Sequence, residues 1–452
     1  MTKTRRLIPV LLLLIYNVTV HADSDLSDAY LWKAGVARVV ITPEYPVWMG
    51  GYASRTSPSE GKLHDLWAKA LVLEDASGNR SILITMDLLA IPKDFSDELR
   101  GWVRTKYGLD NARIILSMSH THSGPVISRA LKDIYPMNDD DLKAVDQYTE
   151  QLKEMLHGLI DKAMHRLQPA YLSTGNGVLR FQVNRRNNQE GSITPLTELK
   201  GPNDYSVPVI KIERADNSLL AIVFGYACHP TTLSINKFSG DYPGFAQIEL
   251  EKLYPGATAM FFQGSAGDQN PLPRRSVPLA IQYGKELAAS VERVLSEDME
   301  RQESVLTTGY TEIDLPFEEP LPASELEKIA QGNNYEGRWA ASMLHDMHSG
   351  NPIMTSYPYP VGFWQMGKQV MFILGGEVLI SYTICLKEIF GENIFVMAYA
   401  NDIVSYIPSK KVLEEGRYEG DTAPRVYGLP AKWDPSIETL IIEGIKKMYV
   451  GN

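Results

Sequence analysis

Short apolar runs in this chain repeatedly end in a residue able to do chemistry. Residues 113–116 lead into Ser117-Met118-Ser119-His120-Thr121-His122-Ser123-Gly124-Pro125, and residues 219–227 into Cys228-His229-Pro230. Residues 369–374 lead into Gly375-Gly376-Glu377, and residues 395–399 lead on toward Tyr406. Runs this short, bounded by Gly and Pro, read as buried strands. Helical spacing intervenes at 94–106, 140–167, 245–253, 279–295, 378–390 and 437–449, and further strands are expected at 32–42, 66–74, 81–86, 207–213 and 258–262. Residues 361–366 and 369–374 read as a hairpin turning at Gly367-Lys368, whereas 297–353 reads as polar and helical. The alternation predicts an α/β (α+β layered) fold: one large domain, mixed β-sheets covered by helices, and a site at strand ends.

Two histidines one residue apart share a side in extended backbone, so His120 and His122 are expected to face one pocket. Imidazole is both the commonest metal ligand and the commonest general base near neutral pH. Two or three imidazoles with one carboxylate make a zinc set with an open position, and His120, His122, His229, Glu377 and Tyr406 are the groups that end apolar strands. Their dispersal means that spacing alone is not diagnostic. His157, His165, His345 and His348 fall on helices and read as surface groups. Asp87 ends a strand, where a carboxylate either orients a site histidine or caps a turn. The adjacent Arg185 and Arg186 suit clamping of an anion or a carbonyl oxygen, or a solvated loop.

The chain opens with Lys3, Arg5 and Arg6, then an apolar run to Val20 and a small-residue cleavage site at Val20-His21-Ala22. This predicts a signal peptide over 1–22 and a secreted or periplasmic mature chain over 23–452, without stable membrane insertion once the signal is removed. Losing those three cations makes a chain of net charge −11 more acidic still, which argues against nucleic acid as a partner. Cys228 and Cys385 permit one disulfide at most.

Several motifs occur in one order: Ala34-Gly35-Val36 through Ile41-Thr42-Pro43, Thr121-His122-Ser123-Gly124-Pro125 preceded by Ser119-His120, Cys228-His229-Pro230-Thr231, Gly267-Asp268, Gly376-Glu377, and Tyr406 followed by Arg417-Tyr418-Glu419-Gly420. Together they resemble the N-terminal catalytic domain of the neutral/alkaline non-lysosomal ceramidases, from about residue 32 to about residue 420. The resemblance implies one zinc ion per chain, held by His120, His229, Glu377 and Tyr406. It places His122 beside the metal as acid/base or substrate contact and Arg185 on the substrate, with Asp268 and Asn270 in the catalytic loop. The implied reaction is attack of zinc-bound water on the N-acyl amide of a ceramide-like lipid, giving a fatty acid and a sphingoid base.

Two departures stand out. Asn270 occupies a position where the family usually carries serine, so an amide oxyanion would meet a carboxamide there instead of a hydroxyl. The chain ends at Asn452, soon after the Arg-Tyr-Glu-Gly motif, so the family's C-terminal β-sandwich domain is expected to be absent. Two alternatives stay open: a zinc hydrolase of the same fold acting on a different N-acyl or ester substrate, and a non-catalytic lipid- or glycan-binding protein.

Overall fold

The computed structural model describes residues 29–131 and 133–451. The expected signal segment, 1–22, lies outside them. In chain order the strands are β1 (Trp32–Val40), β2 (Trp67–Glu74), β3 (Arg80–Met86), β4 (Ile114–Met118), β5 (Gln168–Val178), β6 (Gln182–Asn184), β7 (Ser206–Arg214), β8 (Leu219–Tyr226) and β9 (Thr258–Gln263). They continue with β10 (Gln269–Pro271), β11 (Glu300–Arg301), β12 (Leu306–Pro316), β13 (Ser356–Met366), β14 (Gln369–Leu374), β15 (Glu377–Val378), β16 (Phe395–Met397) and β17 (Tyr406–Ile407). The main helices are α1 (Lys93–Tyr107), α2 (Asp139–Met164), α3 (Asp241–Leu253), α4 (Val277–Ser296), α5 (Ala323–Ile329), α6 (Tyr335–Ser349), α7 (Ile380–Phe390) and α8 (Ile437–Val450).

The fold is α/β, with mixed sheets and helical cover. The main sheet has the order β4-β3-β2-β1-β5-β7-β8-β9, and β11 pairs beside β5. Its β3/β4 and β8/β9 pairs are parallel and the others antiparallel. Alternation along each strand separates the cores on the two faces of the sheet. Ala70, Val72, Ile82 and Ile84 face the core that includes Leu152, Leu156 and Ile160 of α2. Leu71, Leu73 and Leu83 face Trp364, Met371, Ile373 and Met397 of a second sheet, ordered β12-β13-β14-β16. α2 starts cleanly because Asn138 and Asp141 form a reciprocal capping box, and three aspartates occupy its first turn.

The main sheet does not close strand to strand. The segment after β16 lies between its two ends. Ala398 N–H donates to Gln263 O at 2.8 Å, at the end of β9, and Asn401 N–H donates to Leu116 O at 2.6 Å, in β4. Met118 N–H in turn donates to Tyr399 O at 3.2 Å. The ends of β4, β8, β9 and β16 are thereby gathered into one place, as open α/β sheets do at their ligand crevices.

The structure corrects one expectation and decides two points that the sequence left open. The polar stretch 297–353 holds the eleven-residue strand β12, paired along its whole length with β13. Its threonines and alternating Tyr310 and Glu312 suit a half-buried edge, and its acids hide it from a hydropathy reading. Asp87 accepts from Trp67 N–H at 2.9 Å and Gln247 Nε2 at 3.2 Å, tying β3 to β2 and α3 and orienting no histidine. Cys228 and Cys385 are free thiols. The expected hairpin at Gly367-Lys368 is present as β13–β14.

Two buried acids, Asp402 and Asp241, are raised to about 6 by burial and make stability depend on pH. Asp402 accepts from Tyr357 Oη at 2.5 Å, and burial pushes its carboxyl up to about 6 from 3.8. A raised folded value means that its contribution is complete below 3.8 and is lost as pH rises through about 6. The loss amounts to about 3 kcal/mol at most. Asp402→Asn is expected to flatten the urea-unfolding profile between pH 4 and pH 7 relative to the parent chain. An unchanged slope would assign the pH dependence to other groups.

Candidate metal centre

His120 lies two residues beyond β4, His229 three beyond β8, and Glu377 opens β15 just after β14. His120 and His122 do face one pocket, but not as extended backbone. His120 takes a left-handed conformation with φ +61°, a strain of about 1–3 kcal/mol at a position where the turn must be held by its surroundings. Its N–H donates to Leu88 O at 2.9 Å and its Nδ1 lies 2.7 Å from Leu89 O. His229 is held alike: N–H to Gln269 O at 2.9 Å, and Nδ1 at 2.9 Å from Ala266 O. A carbonyl at Nδ1 requires the proton there, which leaves each Nε2 lone pair facing inward. Both Nε2 atoms lie 3.2 Å from the same oxygen, Oε2 of Glu377.

The third imidazole differs. Both ring nitrogens of His122 are buried without a hydrogen-bond partner. The residue is fixed from outside the ring, by Arg55 Nη2 on its carbonyl at 2.8 Å and by the Tyr52 ring at 4.9 Å. One ligand atom from each of His120, His122 and His229 falls within 4.8 Å of the others, a grouping fit for a metal ion. The orphaned inward nitrogens, the shared carboxylate oxygen and the backbone-fixed tautomers are the features a metal site needs.

Electrostatics follow from burial. Burial lowers the His122 imidazole well below its usual value, and the neighbouring His120 and His229 push it further. Burial also lowers His229 to about 4 although Glu377 pulls it up. Burial raises the Glu377 carboxyl, but His120 and His229 outweigh it and hold the group well below the ordinary carboxylate range. The centre is therefore a carboxylate beside two imidazoles, His122 and His229, whose neutral forms burial favours.

Tyr406 and Glu377 are direct partners in the two-residue parallel ladder β15/β17, which puts both side chains on one side. Gly376 makes that ladder accessible: its φ is +69°, and a Cβ there would lie 2.8 Å from Ser405 O. The Tyr406 ring is nearly parallel to His229 at 6.3 Å, and the Arg185 guanidinium lies 5.4 Å from its centroid. Arg185 Nε donates to Glu419 Oε1 at 2.8 Å and its Nη1 lies 3.4 Å from Asn270 Oδ1. Arg186 shares Glu419, at 2.6 Å, and also takes Glu415, at 2.9 Å.

Asp268 stands behind the centre. Its carboxylate accepts from Asn184 Nδ2 at 2.8 Å, Ile380 N–H at 3.0 Å and Gln269 Nε2 at 3.1 Å. Its backbone carbonyl accepts from Arg185 N–H at 2.8 Å, and Gly267 N–H donates to Val378 O at 2.9 Å. The loop 266–270 thus ties His229, Arg185 and the Glu377 strand together. Three contributors escaped the sequence reading. Tyr427 donates to Glu377 Oε1, Tyr399 Oη lies 3.5 Å from Glu377 Oε2, and Arg55 holds His122. Tyr399 closes the apolar run 395–399, whereas Arg55 and Tyr427 lie in stretches with no distinguishing signal.

Fold and centre together define an α/β protein with a buried imidazole–carboxylate cluster at converging strand ends. Residues 32–273 match the family described as neutral/alkaline non-lysosomal ceramidase, N-terminal, and the chain belongs to that family. The neutral ceramidase of Pseudomonas aeruginosa is 27% identical over 265 residues, which is 54% of this chain and 38% of that protein. Neutral ceramidase of Drosophila melanogaster is 26% identical over 266 residues, 53% of this chain and 36% of that one. The matched stretch thus spans little more than a third of these relatives. A crystal structure of the Pseudomonas aeruginosa neutral ceramidase shares the fold with a TM-score of 0.71 at 20% identity, over 93% of this chain and 74% of that one.

Proposed function

We propose that this protein is a zinc-dependent amidohydrolase that cleaves the N-acyl amide of ceramide-like lipids. The observation that carries this is the pair of backbone-fixed imidazoles turning Nε2 onto one carboxylate oxygen beside a third imidazole with both nitrogens free. His120, His229, Glu377 and Tyr406 would hold the ion. Zinc supplies Lewis-acid polarisation and makes water acidic enough to react near neutrality.

The chain's own residues carry the remainder. His122, free at both nitrogens, is placed to take a proton from attacking water and return it to the departing nitrogen. Water adds to the acyl carbon, the C–N bond breaks, the nitrogen gains the proton, and the acyl half leaves as a carboxylate. Asn270 Oδ1 faces Arg185, so its Nδ2 is the group left to donate toward the developing oxyanion together with the guanidinium. Asp268 acts as a positioning residue by holding the loop under His229 and Arg185. Residues 1–22 would direct export of a 23–452 unit to the periplasm or medium. Among the described residues no helix is long and apolar enough to cross a membrane.

The test is release of fatty acid from a fluorescent long-chain ceramide by the purified chain, with and without a zinc chelator. Chelator-sensitive release is the expected result; zinc bound without release would reject the ceramide assignment. A second reading, a zinc hydrolase of the same fold acting on another N-acyl or ester substrate, is favoured by Asn270, which offers no hydroxyl. Zinc bound with no turnover across amides and esters would leave a lipid- or glycan-binding role.

His122 gives a local prediction. Gly51 has φ +106°, and a Cβ there would lie 2.4 Å from the His122 ring. Gly51→Ala is expected to displace that ring and lower kcat about 10²-fold while bound zinc stays stoichiometric. Unchanged kcat would remove His122 from proton transfer.

A further inference from the structure

A cavity of about 450 Å³ opens beside the centre, and Arg185, Asn270 and Glu419 belong to its wall. The same wall carries Arg186, Arg274 and Arg417, against only Glu190 and Glu419. Four guanidinium groups facing two carboxylates are unusual in a chain of net charge −11.

The arginines are not equally occupied. Arg186 commits both Nη groups to Glu419, Glu415 and the Gly416 carbonyl, and only its Nε is left buried without a partner. Arg185 keeps Nη2 buried without a hydrogen-bond partner. Arg417 donates Nη1 to Arg186 O at 3.0 Å and makes no ion pair among the described residues. Among the described residues Arg274 pairs only with Glu190, through Nε at 2.8 Å and Nη2 at 2.7 Å, and that carboxylate is 45% exposed, so solvent screens the pair. Asn270 presents its amide while its oxygen faces Arg185. The wall next to the reacting groups is therefore rich in donors and poor in acceptors. Burying an uncharged, apolar amine half against spare guanidinium groups is unfavourable, whereas a carboxylate matches their planar fork.

We propose that the amide cleaved here carries a carboxylate on its amine half, as in an N-acylated amino acid, and that this anion sits against Arg417 and Arg274 with Arg185 between it and the scissile carbonyl. The inference rests on the amidohydrolase reading in its second form, an N-acyl substrate other than ceramide, since a sphingoid amine half carries no carboxylate. The acyl half, an apolar chain, has no use for this donor-lined space, so the cavity receives the amine half.

The experiment compares N-oleoylglycine with N-oleoylethanolamine, which share one acyl chain and differ in charge, using the full zinc-loaded chain. The expected result is a kcat/KM at least about ten-fold higher for the glycine conjugate, expressed in KM and eroded as ionic strength rises. In the Arg274→Gln/Arg417→Gln variant that ratio is expected to collapse to about unity. Equal or better use of the uncharged amide by the parent chain would overturn the proposal, as would a ratio that the double variant does not move. Hydrolysis of neither amide by zinc-loaded protein would instead reject the amidohydrolase reading on which it rests.

Discussion

His229→Ala is expected to purify without stoichiometric metal and to lose about 10³-fold or more in kcat/KM, and His120→Ala is expected to match it. Lewis-acid catalysis contributes several kcal/mol to such reactions, and each 1.4 kcal/mol is about a factor of ten. Each ring supplies an Nε2 already turned inward by a carbonyl at Nδ1, so removing either opens the site on one side. The double variant is expected to be no worse than either single one, because the ligands act as a unit. Metal content measured alongside turnover checks this. Full zinc occupancy and parental turnover in both variants would overturn the metal assignment. Loss of metal is also expected to lower the melting temperature, because an ion that binds only the folded chain adds roughly 3–4 kcal/mol when present at a hundred to a thousand times its Kd.

Glu419→Ala is the substitution expected to damage stability most. Its side chain is 6% exposed and receives both Arg185, at 2.8 Å, and Arg186, at 2.6 Å. Truncation leaves two largely buried guanidinium groups around an empty space, and breaking a buried pair this way costs about 3–5 kcal/mol. Glu415 still reaches Arg186, so Arg185 bears most of the loss. Urea unfolding measures it: a midpoint shift under about 1 kcal/mol would show that water or Asn270 replaces the carboxylate. Glu419→Gln, which keeps an acceptor, is expected to fall between.

Legibility in the sequence followed the distance over which each signal acts. Strands such as β8 announce themselves through continuous apolar runs, and α2 through its spacing and cap. The groups that close those strands, His120, His229 and Glu377, could be collected before any coordinates because strand ends are where α/β folds expose polar side chains. The adjacency of Glu377 and Tyr406 could not be read locally, since a two-residue parallel ladder leaves no pattern in either segment. The same holds for Tyr427, which reaches Glu377 across 50 positions of chain. β12 escaped for a different reason: one face is wet, and its acids resemble those of a surface helix.

The segment after β16 that fastens β9 to β4 also sets the order in which the site can be completed. Leu116 N–H donates to the Asn401 side chain across 285 positions, so the seat of His120 is unfinished until the last quarter of the chain arrives. Glu377 and Tyr406 arrive just as late. A nascent chain that has made β1 to β9 holds its histidines but lacks the clasp and the carboxylate that organise them. Contacts this distant form slowly. Completion of the imidazole–carboxylate cluster therefore belongs to the final stage of assembly, and an unfinished chain holds its histidines without the carboxylate they converge on.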